Sequence, residues 1–75
     1  MELPAVEPKI RELRESKGLT QEELAAKAGV TRKTIFNLET GNTLPNLGVL
    51  LAIAAVLGVM WSALYDVKGG NVRDT

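Results

Sequence analysis

The sequence of 75 residues contains no cysteine and no histidine. The lack of cysteine excludes disulfide bonds and thiolate metal sites, and the lack of histidine removes the commonest general base and metal ligand. Only 4% of the residues are aromatic, although 45% are hydrophobic, which is a folded composition. So short a chain allows one small domain. We therefore expect no enzyme, no metal and no cofactor.

No charge excess of either sign is present, since nine lysines and arginines balance nine acidic residues. The distribution along the chain is nevertheless uneven. Residues 9–33 carry seven basic and four acidic side chains. Because charges are screened over about 8 Å at physiological salt, this local excess permits a weakly basic face on a neutral protein.

Glycines and capping residues divide the chain into five predicted helices. The second helix follows the capping box pattern Thr20 to Glu23, and the third follows the capping residue Thr31. The predicted helices cover residues 9–17, the segment from Thr20 to Gly29, the segment from Thr31 to Gly41, residues 46–57 and residues 60–65. Pro8 suits the first helical position. We expect an arm over residues 1–7, one domain over residues 8–66 and a flexible tail over residues 67–75.

A turn of only Gly29 and Val30 separates the second helix from the third. Two helices joined so briefly cannot lie antiparallel, so they must cross steeply. The third helix then protrudes, with its polar and charged residues directed away from its buried side. The residues predicted to point outward are Arg32, Lys33, Phe36 and Asn37.

The pattern that begins Leu19-Thr20-Gln21-Glu22-Glu23-Leu24-Ala25 and ends Leu38-Glu39-x-Gly41 resembles the helix-turn-helix of the Cro/phage-repressor (XRE) family. The similarity extends over roughly residues 8–65. It implies an all-α fold, a compact five-helix lambda-repressor-like DNA-binding domain with the helix-turn-helix at helices 2 and 3. It also implies a protein that usually acts as a dimer.

Members of this family read the major groove with the second helix of the motif. Carried over by position, the base-contacting residues are Arg32, Lys33 and Asn37, whose side chains suit guanine and adenine edges. The resemblance assigns contacts with the DNA backbone to Thr20, Gln21, Thr31, Thr34, Asn42 and Thr43. The alternatives are that Arg32 and Lys33 form a solvated face and that Thr20 and Thr31 serve only as helix caps.

Three further residues carry expectations. Phe36 departs from the polar choice that is usual at its position, and packing against the fourth helix is favoured over contact with a thymine methyl group. Arg14 and Glu39 match a pair that is salt-bridged in several relatives, which predicts a structural role.

Residues 40–65 contain no charge. Residues 47–64 are apolar enough to suggest a membrane span, an interpretation that is disfavoured because Gly58 interrupts the segment. The spacing of Leu47, Leu50, Ile53, Ala54 and Leu57 instead predicts the core face of an amphipathic helix.

The outer face of the last two helices is then apolar as well, and a monomer would expose an unusually large hydrophobic patch. We expect a homodimer interface formed by Ala52, Ala55, Val56, Met60, Trp61 and Leu64. The alternative is that Trp61 and Leu64 close the core from below.

These features together predict a cytoplasmic, sequence-specific regulator of transcription that binds double-stranded DNA. A dimeric repressor that reads an inverted-repeat operator fits them best. The alternative is an antitoxin or accessory subunit that binds a partner protein through the apolar face of helices 4 and 5.

Overall fold

The computed structural model describes residues 5–68, and these residues form a predominantly helical domain. Four α-helices are present: α1 (Ile10–Ser16), α2 (Gln21–Ala28), α3 (Arg32–Thr40) and α4 (Leu47–Leu57). A 3₁₀ turn follows at Trp61–Leu64. Two short strands, β1 (Ala5–Pro8) and β2 (Tyr65–Lys68), flank the helical part.

Local capping interactions fix the helix starts that the sequence predicted. The Thr20 hydroxyl accepts a hydrogen bond from the Glu23 amide at 3.0 Å, and the Glu23 carboxylate accepts one from the Thr20 amide at 2.8 Å. Each of these bonds satisfies an amide that a helix start would otherwise leave unpaired. Gly29 ends α2 at φ 77°, a left-handed conformation that favours glycine. The predicted capping box is confirmed.

The hydrophobic core is formed by one face of each helix together with the 3₁₀ turn. Its buried members are Ile10, Leu24, Ala25, Ile35, Leu38, Ile53, Ala54, Leu57 and Leu64. Three of the five residues predicted for the core face of α4 are therefore buried, and Leu50 is half-buried. The prediction is wrong for Leu47, which is 68% exposed. In an entirely apolar helix the spacing of leucines does not show which side faces inward.

The predicted fifth helix is wrong, and so is the expectation of five helices in an all-α fold. Residues 61–64 form a single 3₁₀ turn, after which the backbone is extended in β2. This strand pairs antiparallel with β1, with Val6 opposite Val67 and Glu7 opposite Asp66. Pro8 does not open the first helix either, because it is the last residue of β1. Of the predicted arm and tail, residues 1–4 and 69–75 lie outside the described residues.

Lys9 connects the small sheet to α1. Its backbone amide donates to the Leu64 carbonyl at 2.7 Å. Its ammonium lies 3.4 Å from the Glu7 carboxylate, 3.8 Å from Glu12 and 4.0 Å from Asp66. Glu12, followed by the hydrogen bond to Glu7, raises the pKa of Lys9 above its ordinary value of 10.5. Its favourable charge interactions are therefore fully present at neutral pH and are lost only at more alkaline pH.

Lys9 also offsets a repulsion within the sheet. Glu7 and Asp66 are direct cross-strand partners, and like charges in such positions destabilise an antiparallel pair. The ammonium near both carboxylates counters this effect.

Within the part of the chain that the structure describes, no helix is both long and apolar enough to cross a membrane. The apolar α4 comprises 11 residues and ends at Gly58, which has a φ of 70°.

Tyr65 provides a test of the packing at the junction of the 3₁₀ turn and β2. Its hydroxyl is buried and has no hydrogen-bond partner among residues 5–68, and burial raises the pKa of this phenol above 10.0. An unpaired buried hydroxyl costs about 1–3 kcal/mol in desolvation. We expect Tyr65→Phe to increase the free energy of unfolding by roughly 1 kcal/mol in urea titrations at neutral pH. A loss of stability would show that the hydroxyl is bonded in solution.

Candidate nucleic-acid interface

The exposed face of α3 is positively charged. Arg32 and Lys33 lie in its first turn and are exposed, whereas Ile35 and Leu38 on the opposite side are 0% and 1% exposed. Glu39 is the only acidic residue of the helix, and its side chain is 3% exposed. The surface of α3 therefore carries two positive charges and no negative one, although the whole chain is neutral.

Neither of these cations is paired with an acidic side chain of residues 5–68. Among the residues that the structure covers, ion pairs involve Lys9, Arg11 and Arg14, and none involves Arg32 or Lys33. Both side chains are thus available to an external anion or to acceptor atoms on base edges.

Glu39 is buried because it accepts hydrogen bonds from two neighbouring helices. Arg14 Nε and Nη2 donate to its two carboxylate oxygens at 2.6 and 3.2 Å. The amide of Gln21 donates to the same carboxylate at 2.9 Å. Arg14 also donates to the Leu19 carbonyl at 2.7 Å, so it joins α1 to the segment before α2. The predicted structural pair Arg14–Glu39 is therefore present.

The electrostatics of this network favour the charged form of Arg14. The hydrogen bond to Glu39 raises the pKa of Arg14 above its ordinary value, although burial acts in the opposite direction. The Arg14 side chain is only 10% exposed, so the small energies typical of surface salt bridges do not apply here. The same network fixes the side chain of Gln21 at the start of α2.

An open cleft between α1, the start of α2 and α3 adjoins this network. It has a volume of about 290 Å³ and is bordered by Gln21, Arg32 and Phe36, together with Arg11, Arg14, Glu39 and Thr40. A neighbouring cavity of about 350 Å³ shares Arg14, Gln21 and Arg32 with it and is also lined by Thr20 and Glu22. The structure thus brings Gln21, predicted to contact the DNA backbone, next to Arg32, predicted to contact bases. Glu22 gives this part of the surface a negative charge as well.

The hydroxyls at the start of α3 are engaged with each other. Thr31 Oγ1 accepts from the Thr34 amide at 3.2 Å and lies 3.0 Å from Thr34 Oγ1. Thr31 is exposed and Thr34 is half-buried. Thr20 and Thr31 are therefore helix caps, and both remain at the surface.

The loop after α3 folds back onto the last predicted base reader. The Asn37 carbonyl accepts from the Asn42 amide at 2.9 Å and from the Thr43 amide at 3.5 Å. Asn42 Nδ2 donates to Asn37 Oδ1 at 3.5 Å. Asn37 is half-buried, whereas Asn42 and Thr43 are exposed. Asn37 lies in the second half of α3, and Asn42 and Thr43 follow the helix. All three residues are therefore towards the opposite end of α3 from Arg32.

Phe36 is not packed in the protein interior. It is 46% exposed and borders the cleft with Arg11 and Arg32. The favoured interpretation that it packs against the fourth helix is wrong, because the cleft that the ring borders is lined by residues of α1, α2 and α3 and by none of α4.

The residues predicted for a dimer interface lie on α4 and around the 3₁₀ turn. Met60 and Trp61 are 73% and 54% exposed, Ala55 is exposed, and Ala52 and Val56 are half-buried. Leu64 is fully buried in the core, so it cannot belong to a surface in this fold. Leu44, Leu47 and Leu51 are also large hydrophobic residues that are exposed. The sequence did not predict them for the dimer interface.

Comparisons with known proteins agree with this architecture. A family model described as Helix-turn-helix (HTH_3) matches residues 10–61, which include all four helices and the start of the 3₁₀ turn. The chain belongs to the XRE-type helix-turn-helix family. The domain combines four helices with a small two-stranded sheet, and members of the family are DNA-binding transcriptional regulators.

Individual relatives of this helix-turn-helix protein include an uncharacterised HTH-type transcriptional regulator from Methanothermobacter thermautotrophicus. It is 55% identical over 49 residues, which cover 65% of this chain and 71% of the relative. The known relatives are regulators and not enzymes, as the composition predicted.

Two similar solved structures contain DNA. The P22 c2 repressor with a synthetic operator has a TM-score of 0.73 and 30% identity, and the match covers 75% of this chain and 85% of that one. SinR of Bacillus subtilis in complex with DNA has a TM-score of 0.71 and 33% identity, with 75% and 90% coverage. SinR has also been solved in a complex with the SinI protein.

The buried ion pair gives a prediction about stability. Glu39→Gln removes the charge that faces Arg14, and we expect a loss of about 1.5–3 kcal/mol because hydrogen bonds to charged groups are strong. The matched control is Glu12→Gln, since the Glu12 carboxylate lies 3.8 Å from the Lys9 ammonium at an exposed position of α1. The control should cost at most about 0.5 kcal/mol. Urea unfolding followed by circular dichroism measures both, and equal losses would contradict a structural role of the buried pair.

Proposed function

We propose that this protein is a homodimeric, sequence-specific repressor that reads the major groove of an inverted-repeat operator. The observation that carries the proposal is the exposed face of α3, which has two cations and no exposed acid. Neither cation forms an ion pair with another of the described residues. Arg32 and Lys33 can donate to guanine O6 and N7, and Asn37 can bond to adenine. The P22 c2 repressor, a structural neighbour solved with its operator, supports the assignment.

Contacts with the DNA backbone would fix the position of α3 on the duplex. In this proposal they come from the residues at the two helix starts and from the loop after α3. These residues are Thr20, Gln21, Thr31, Thr34, Asn42 and Thr43. Gln21 suits the role because its bond to Glu39 holds the side chain beside Arg32.

The dimer would form through the apolar surface of α4 and the 3₁₀ turn. Leu47 and Leu51 lie one turn apart on the outer side of α4 and are 68% and 47% exposed. Met60 and Trp61 extend the apolar surface beyond the end of the helix. A monomer would leave this surface in water, which is unfavourable. The proposed interface also includes Leu44, Ala52, Ala55 and Val56.

Selection from random duplex DNA tests the function. We expect an enriched inverted repeat with half-sites about 34 Å apart, the spacing of successive major grooves. Arg32→Ala should relax one base position at a cost of about 1–3 kcal/mol. The matched control, Lys17→Ala, removes the same charge from the end of α1 and should leave the base preference unchanged. If no sequence is enriched, the proposal fails.

The introduction of a charge into the proposed interface tests the dimer. We expect Met60→Glu to give a monomer by sedimentation equilibrium, because it would bury an unpaired carboxylate in the interface. The monomer should bind the operator weakly. Ala26→Glu adds the same charge at an exposed position of α2 and should remain dimeric. A Met60→Glu variant that is still a dimer would place the interface elsewhere.

The same apolar surface favours a second candidate function, that of an accessory subunit or antitoxin that binds another protein. The complex of SinR with SinI provides an example of a protein partner for a structural neighbour. This candidate is supported if the purified wild-type protein is monomeric, since the exposed leucines and Trp61 would then have no copy to cover them.

A further inference from the structure

Phe36 is an exposed aromatic residue in the middle of α3. Its side chain does not belong to the core, and it is 46% exposed. The other residues on the outer side of this helix are polar or charged. An aromatic side chain contributes a large apolar area, so its exposure calls for a partner that covers it.

The geometry of a helix places Phe36 among the proposed base readers. It follows Arg32 by four residues and Lys33 by three, and such residues are neighbours on a helix surface. Successive residues of a helix are rotated by about 100° around its axis. Viewed along the axis of α3, Phe36 therefore points between Arg32 and Lys33, and it lies about one turn further along the helix. A base edge that contacts these two cations is therefore close to the Phe36 ring.

The chemistry of the major groove limits what the ring can contact. Base edges there present hydrogen-bond donors and acceptors, and the one large apolar group is the C5-methyl group of thymine. Contact with polar edges would remove water from them without replacing its hydrogen bonds. Contact with the methyl group buries apolar surface on both sides.

We propose that Phe36 is a specificity-determining residue that packs against the C5-methyl group of a thymine in each half-site. This proposal rests on the proposed function, since it requires that α3 enters the major groove. Phe36 also borders the cleft together with Arg11 and Thr40. The competing interpretation is therefore that the ring contacts a deoxyribose of the DNA backbone, a contact that does not depend on the base.

Replacement of thymine by deoxyuridine separates these contacts, because the two bases differ only in the methyl group. Each thymine of the selected operator is replaced in turn, and binding is measured for the wild type and for Phe36→Ala. We expect one thymine in each half-site at which replacement by uracil weakens binding of the wild-type protein about fourfold. This ratio of dissociation constants corresponds to the burial of one methyl group. Phe36→Ala should show no such difference at that position.

Two further variants serve as controls for this measurement. Phe36→Leu retains an apolar side chain and should restore part of the discrimination between thymine and uracil. Val67→Ala truncates a comparably exposed residue of β2 and should leave the discrimination unchanged. Circular dichroism verifies that each variant is folded.

The outcomes distinguish this proposal from the function on which it rests. If no operator is enriched, the proposed function itself fails. If an operator is found but Phe36→Ala weakens the thymine and uracil duplexes equally, the ring contacts the backbone and the specificity proposal is overturned.

Discussion

The buried pair of Arg14 and Glu39 is the interaction on which the arrangement of the first three helices depends. An ion pair removed from water is stable only when its remaining hydrogen-bonding groups are also satisfied. Here the guanidinium reaches the Leu19 carbonyl, and the carboxylate receives a further bond from Gln21. The pair therefore fixes α1, the start of α2 and the end of α3 relative to one another. The candidate DNA-binding face includes the start of α2 and the exposed side of α3, both of which are held in place by this network.

The positions of the charges explain how α3 can present a basic surface on a neutral chain. The negative charge of Glu39 lies inside the protein, where it is paired with Arg14 and does not reach the surface. Three more carboxylates surround Lys9 near the sheet. Arg32 and Lys33 are left without an internal counter-ion among the described residues. The net charge of the chain is therefore a poor guide to its surface, because binding depends on where the unpaired charges lie.

The parts of the fold that the sequence predicted are those that local interactions determine. The capping box of Thr20 and Glu23 and the left-handed Gly29 involve residues only a few positions apart. The positions of the first four helices followed from such signals. The DNA-contacting residues came from the resemblance to a family, and their contacts remain predictions.

The features that the sequence did not reveal depend on distant parts of the chain. The pairing of β1 with β2 joins the two ends of the described segment, and neither strand carries a strong alternating pattern. Leu47 appeared to belong to the core because α4 offers no polar residue to mark its outer side. The burial of Glu39 and its bond to Gln21 arise only when three helices meet.

The small sheet has a consequence for the order of assembly. Val6 and Val67 are partners although almost the whole described chain lies between them, so their pairing must close a very long loop. The contacts of α2 with α3 are local by comparison, and local contacts form faster. We therefore expect the helix-turn-helix to assemble first and the sheet to join last. Thermal fluctuations that open the sheet would then leave the candidate DNA-binding unit folded.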